Sequence, residues 1–305
     1  MVIEVLVGWS SLNLTNNNLL SFLMEVISSI EEIQQITLQF EREGKKIGFV
    51  PTMGFLHEGH LSLVELIRER SDILIVSIFV NPTQFGAGED LGKYPRDMER
   101  DLLLCRKHKV DYVFSPSTEE IYPKFASTYV SEEMVSDGLC GHARPTHFKG
   151  VTTICAKLFN LCRPTFVALG QKDAQQLVVL KRMIRDLHFP IEVIVGPTVR
   201  EADGLAKSSR NSYIKAEHRK DALLLYQALE AGRALVNENG IRDVDPVKSE
   251  LISILQTGHS LKVNYADIVD RETMKPESEI EMGRSILIIA AWVDKIRLID
   301  NMLLG

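Results

Sequence analysis

Residues 45–80, KKIGFVPTMGFLHEGHLSLVELIRERSDILIVSIFV, decide the fold. The run opens with a short apolar strand ended by Pro51. A polar loop with two glycines follows, and then a helix over 59–70 with Leu61, Leu63, Val64 and Ile67 apolar. The next run, 73–80, is almost wholly apolar, as in a strand covered on both faces of a parallel sheet. Strand, helix and buried strand in that order imply a right-handed crossover.

The same alternation continues outward. Sequence patterning predicts a helix over 97–108, a strand over 111–114, mostly loop over 115–148 and a helix over 150–161. A strand over 165–169, a helix over 173–187 and a strand over 191–195 follow. Upstream, a helical pattern opens at Met24 and carries Val26, Ile27, Ile30, Ile33, Ile36 and Phe40 on one face. About five alternations give an α/β fold with a Rossmann-like, doubly wound parallel sheet, whose ligands bind beyond the carboxyl ends of the strands. The texture changes near residue 199. Helices over 216–237 and 246–256 and two β-like runs, 263–270 and 285–293, read as a smaller α+β domain with antiparallel strands. The expected division is a first domain over 24–198 and a smaller lid over 199–305, hinged at GPTVREADG (196–204), where Pro and Gly punctuate the chain.

Bulk properties narrow the class. The 305 residues are 45% hydrophobic and 25% charged, which suits a globular chain with a real core. A net charge of -6 gives no general attraction to nucleic acid or anionic lipid. The four cysteines, Cys105, Cys140, Cys155 and Cys162, form no CxxC pair; Cys155 and Cys162 lie seven apart in an apolar helical stretch, so buried thiols are expected, and a reducing cytoplasm fits. Residues 1–23 lack a basic start and are broken by Asn, Ser and Thr, which makes a poor signal peptide or membrane span. They are read as an extension ahead of a native start at Met24, and the intact mass of the natural protein decides the point.

Four constellations sit where chemistry is expected. The strongest is MGFLHEGH (53–60), in which His57 and His60 enter a helix after a strand. Free N–H groups at a helix start suit a phosphate, and histidines donate to its oxygens as charge develops. A metal pair and a structural pair are the competing readings, and no third metal ligand is evident. The second constellation is Lys207, Ser208, Ser209 and Arg210, two hydroxyls flanked by cations in a loop, which suits an anion. With HxGH upstream it resembles the two-part signature of the nucleotidylyl-transferase and class I aminoacyl-tRNA synthetase superfamily, in which both motifs grip the ATP phosphates. The third is GQKDAQQ (170–176): Lys172 supplies charge, Asp173 suits a ribose hydroxyl or a helix cap, and Gln176 lies one turn on. The fourth is NPTQF (81–85), where Gln84 follows a buried strand.

Taken together, PTMGFLHEGH, FVNPTQFGAGEDLGKYPRD, HFKGV, GQKDAQQ and DGLAKSSRN, in this order, resemble the pantothenate synthetase (pantoate–β-alanine ligase) family. The resemblance covers about 24–305, including the terminal run RLIDN. It implies an enzyme that joins pantoate to β-alanine through a pantoyl adenylate, with ATP as substrate, Mg²⁺ alongside and a homodimer as the assembly. It also implies residue roles. Met53, Gly54, Phe55, Leu56, His57, Glu58, Gly59 and His60 would form the ATP loop, with His60 the main catalytic histidine and His57 its partner. Gly170, Gln171, Lys172 and Asp173 would hold ribose and phosphate, and Val199 would lie against the nucleotide. Lys207, Ser208, Ser209 and Arg210 would close over the phosphates, while Gln84 and Gln176 would hold pantoate, Gln84 also lying near β-alanine. No protein metal ligand is assigned. Thr83 stands where the family often has methionine, and Ala174 where an aromatic can sit; these bear on pocket shape, not on reaction type.

Competing classes are a nucleotidylyl-transferase acting on a phosphate acceptor, a non-catalytic nucleotide-binding module and a tRNA synthetase. Gln84 and Gln176 are too uncharged for a phosphate acceptor. A binding module would not need both halves of the phosphate grip, and the acidic chain lacks a basic tRNA-binding domain.

Overall fold

The computed structural model describes residues 24–305, and the expected N-terminal extension, 1–23, lies outside the described residues. The elements run β1 (Glu25–Ile27), α1 (Ile30–Arg42), β2 (Ile47–Thr52), α2 (Glu58–Arg68), β3 (Ile73–Ile78), α3 (Met98–Lys107) and β4 (Tyr112–Phe114). Two short helices, α4 (Thr118–Ile121) and α5 (Leu139–Ala143), precede α6 (His147–Cys162), β5 (Phe166–Gly170), α7 (Ala174–Asp186) and β6 (Glu192–Gly196). The remainder holds α8 (Arg219–Asn237), α9 (Val244–Leu255), β7 (Leu261–Asp270), β8 (Ser285–Val293) and β9 (Ile296–Leu303).

The first six strands form one parallel sheet in the order β1-β4-β3-β2-β5-β6. Successive side chains of β2 point to opposite faces and enter different cores. Phe49 packs with Ile33 of α1, Phe159 of α6 and Leu180 of α7. Its neighbour Val50 packs with Val64 and Ile67 of α2 and Cys105 of α3. Burying such side chains contributes roughly 1.5–3 kcal/mol each, so both helical layers are held by the same strands. The strand order reverses between β2 and β5, which places the topological switch point, and the crevice it opens, at the carboxyl ends of those two strands.

One sequence expectation is corrected here. Residues 25–27 are not the first turn of a helix but a parallel edge strand, pairing Val26 with Val113. Ser29 then caps α1, its hydroxyl accepting from the Glu32 amide. Val26 is half-exposed and Ile27 buried, and three residues are too few for periodicity to separate strand from helix.

The second sheet is antiparallel, β7-β8-β9, with α8 and α9 packed on it through Leu225, Leu229, Val247 and Leu251 against Leu287 and Ile289. Its third strand, β9, goes beyond the two runs read from sequence. Polar residues interrupt its apolar pattern because they reach the linking segment and the first body. Asp300, almost fully buried, takes both arms of Arg200 at 2.6 and 3.0 Å. Asn301 donates to the carbonyls of Gln171 and Lys172 at 3.0 and 2.8 Å and accepts from the Gln171 amide group at 3.0 Å. All four cysteines are free and buried, as expected of structural thiols.

Candidate active site

The HxGH segment occupies the turn from β2 into α2. His57 is the N-cap of α2, with extended backbone, and the Gly59 amide donates to its Nδ1 at 3.2 Å. The His57 amide in turn donates to His60 Nδ1 at 3.3 Å. The two histidines therefore form a reciprocal capping box, a role usually filled by Ser or Thr with Glu or Gln. Gly59 leaves room between them: a Cβ there would lie 3.0 Å from the His57 ring, which would have to shift. The rings stack at 4.0 Å between centroids.

This arrangement fixes their chemistry. Each Nδ1 accepts, so each neutral ring carries its proton on Nε2. Burial, with help from Lys172 and Lys207, holds His57 down to about 4. Burial, then His57 and Lys172, hold His60 well below the ordinary histidine range. Both are uncharged donors at neutral pH.

The loop ahead of them is held by a carboxylate that sequence reading missed. Asp101 of α3, almost fully buried, accepts from the amides of Phe55 and Leu56, both at 2.7 Å. Arg100 donates to the Leu56 carbonyl at 2.9 Å, and its guanidinium stands over the Phe55 ring. Phe55 keeps a left-handed backbone, φ 50°, within this hold. Asp101 sits in a strongly charged helix, where a sequence pattern reads every carboxylate as solvated.

The crevice brings most of the singled-out residues together. Met53, His57, Gly59 and His60 line it after β2, and Gly170, Lys172 and Asp173 line it after β5. Gln84 and Gln176 lie at the same crevice, as do Val199, Lys207, Ser208, Ser209 and Arg210. Asp173 stands at the N-cap of α7 without making a capping bond, which leaves its carboxylate beside Lys172 Nζ at 3.4 Å. The two phosphate-type motifs touch, since the Ser209 hydroxyl donates to the Phe55 carbonyl at 3.4 Å. Five residues of the expected ATP loop and its neighbour do not line this crevice. Gly54 and Phe55 face a second cavity, and Leu56 is buried in the core. Glu58 is exposed and pairs with Lys207 at 3.1 Å, and Gln171 is bonded to Asn301.

Gln84 is held from several sides. Asn81 Nδ2 donates to its Oε1 at 3.0 Å, and its own amide nitrogen donates to Met53 Sδ at 3.0 Å. Its backbone carbonyl accepts from His147 Nδ1 at 2.9 Å and from Arg144 at 3.3 Å. Because a carbonyl only accepts, His147 carries its proton on Nδ1, the opposite tautomer to His57 and His60. Burial lowers His147 to about 4. Gly150, in the HFKGV stretch, lets α6 close on this turn: a Cβ there would lie 2.4 Å from the Thr83 carbonyl oxygen. Among these partners, Asn81 lay inside a quoted motif without a role, while Arg144 had no sequence signal beyond a loop assignment.

A parallel sheet with a histidine-capped helix start on one side of its switch point and a Lys-Ser-Ser-Arg turn on the other defines an HxGH-type nucleotide-binding α/β protein. The pantoate–β-alanine ligase family model matches residues 25–303. A pantothenate synthetase of Thermotoga petrophila is 51% identical over 92% of this chain and all of its own length. Another, from Fervidobacterium nodosum, is 52% identical over the same share of this chain and its own full length. Among solved structures, pantothenate synthetase from Thermus thermophilus superposes with a TM-score of 0.86 at 42% identity, covering 92% of this chain and 99% of that one. Pantoate–β-alanine ligase from Francisella tularensis, in complex with β-γ ATP and β-alanine, gives 0.76 at 30% identity, covering 92% and 98%. The chain belongs to the pantoate–β-alanine ligase family.

Proposed function

We propose that this enzyme condenses pantoate with β-alanine at the expense of ATP. A pantoate carboxylate oxygen attacks the α-phosphorus of ATP, the bond to the bridging oxygen breaks, and pyrophosphate leaves. The uncharged amine of β-alanine then attacks the acyl carbon, AMP departs, and the amine loses its proton to solvent. The observation that carries this reading is the crevice itself: HxGH and the Lys-Ser-Ser-Arg turn reach one space that also holds Gln84 and Gln176.

In the first step two anions must approach, so fixed donors and positive charge lower the barrier. His60 Nε2–H and its partner His57 donate to the phosphates, while Lys172, Lys207 and Arg210 neutralise them. The Ser208 and Ser209 hydroxyls and the Asp173 carboxylate take phosphate and ribose contacts, and Val199 packs against the nucleotide. The side-chain amides of Gln84 and Gln176, which line the crevice, hold pantoate. In the second step no residue of the crevice stands out as a base, so the rate comes from holding amine and adenylate together. Residues 199–305 act as the lid over the nucleotide-binding part, 24–198.

Among the described residues no three His, Cys, Asp or Glu side chains cluster to hold a metal. Mg²⁺ would arrive with the triphosphate and would offset its charge beside Lys172, Lys207 and Arg210. Homodimer assembly and a cytoplasmic setting complete the reading; free buried thiols support the latter. No helix among the described residues is long and apolar enough to cross a membrane. The test is pyrophosphate exchange into ATP. Exchange that requires pantoate, and collapses in His60→Ala, supports the assignment; a folded, ATP-binding protein without pantoate-dependent exchange rejects it.

A further inference from the structure

Every cation read above onto the phosphates already has a carboxylate. Lys172 is beside Asp173, Lys207 beside Glu58, and Arg210 is held by Asp90. The last pair differs from the others. Arg210 Nε lies 2.9 Å from one Asp90 oxygen and Nη2 lies 3.0 Å from the other. This two-handed geometry is the one in which a guanidinium takes a phosphate. Asp90 comes from a glycine-punctuated loop, 86–92, and among the described residues its carboxylate has no other hydrogen-bond partner, not even a cap on the short turn it begins. Next to it, Glu89 grips Arg144 in the same two-handed way, both contacts at 2.6 Å. One short acidic loop thus holds two crevice arginines.

We propose that Asp90 is a positioning residue that takes the place of a phosphate group on Arg210 while the crevice is empty and yields it to the triphosphate. The proposal rests on the reading that Arg210 binds the ATP phosphates. A partly buried guanidinium without a partner is costly, so the carboxylate keeps Arg210 extended toward the crevice. The same pair must break when ATP binds, so Asp90 lowers ATP affinity while preserving the shape of the receptor.

The experiment measures the ATP dissociation constant by calorimetry, and KM and kcat in pantoate-dependent pyrophosphate exchange, for four variants at low and high salt. Arg210→Ala should weaken ATP binding. Asp90→Asn removes the competing charge with little change of shape and should tighten ATP binding about fivefold, the worth of a partly exposed ion pair. The gain should fall on KM for ATP rather than on kcat, and it should fade as salt screens the charges. Asp90→Glu should restore affinity to within about twofold of wild type, since the charge is kept. Tyr213→Phe removes a 2.7 Å bond to the Lys93 carbonyl and loosens the same loop without changing charge, so it should give no gain. The proposal is overturned if Asp90→Asn leaves ATP binding unchanged or weaker, or if Tyr213→Phe tightens it equally. If Arg210→Ala leaves ATP affinity intact, the placeholder falls with it, while pantoate-dependent exchange in the wild type would still uphold the reaction.

Discussion

The two walls of the crevice are built on opposite principles. On the wall after β2, uncharged histidines are locked by backbone amides, and the loop before them is locked by a buried carboxylate. On the facing wall, Lys207 and Arg210 rest on the carboxylates of Glu58 and Asp90, which the proposed triphosphate would displace. On the proposed reading the first wall would need no rearrangement to meet a developing charge, whereas the second would exchange partners. Preorganised dipoles give rate, and exchangeable ion pairs give entry and release.

Four substitutions or conditions press on that contrast, the largest effect first. His60→Ala should slow adenylate formation by about 10²–10³, the usual loss when a preorganised donor is removed. A smaller loss, with ATP affinity reduced instead, would put His60 among the exchangeable groups. Asp101→Ala leaves the Phe55 and Leu56 amides buried without acceptors and should destabilise the fold by about 3 kcal/mol. Urea unfolding at neutral pH measures this, and an unchanged midpoint would mean that the loop does not depend on its carboxylate.

Acid is the third probe. His57 and His147, held to about 4 in the fold, bind fewer protons there than when unfolded. Stability should therefore fall as pH drops from about 6.5 towards 4, by up to about 1.4 kcal/mol per pH unit for each group. His147→Asn should flatten that slope by one group's share in urea titrations at several pH values. The smallest effect belongs to the exchangeable wall. Lys207→Gln breaks a surface pair with Glu58 and should shift stability by less than about 1 kcal/mol, while raising KM for ATP. A large loss of stability would show Lys207 to be part of the scaffold instead.

The same contrast explains what the sequence made legible. The continuous apolar run of β3 and the change of texture near 199 carried the fold, because both follow from burial on two faces or one. The HxGH and Lys-Ser-Ser-Arg groups were visible as motifs because glycines, histidines and paired hydroxyls are unusual at such spacing. Asp101, Asp90 and Asn301 were not visible. Each is an ordinary polar residue in a polar context, and its meaning comes from a partner 45 to 130 positions away. β9 escaped for the same reason: Asp300 and Asn301 look like interruptions of a strand until Arg200 and the Gln171–Lys172 backbone are brought against them. Strand β1 escaped because its three residues continue the apolar spacing of the helix behind them.

The histidine capping box has a cost that selection for a sturdier molecule would remove. Serine or aspartate is the preferred residue at the first position of such a box, and glutamate or glutamine at its third helical position. Replacing His57 with serine would thus be expected to hold or strengthen the start of α2 while stripping a donor from the crevice. Laboratory evolution towards heat resistance, without a demand for turnover, should drift at this position first, and a screen that rewards only folding would select against the catalyst.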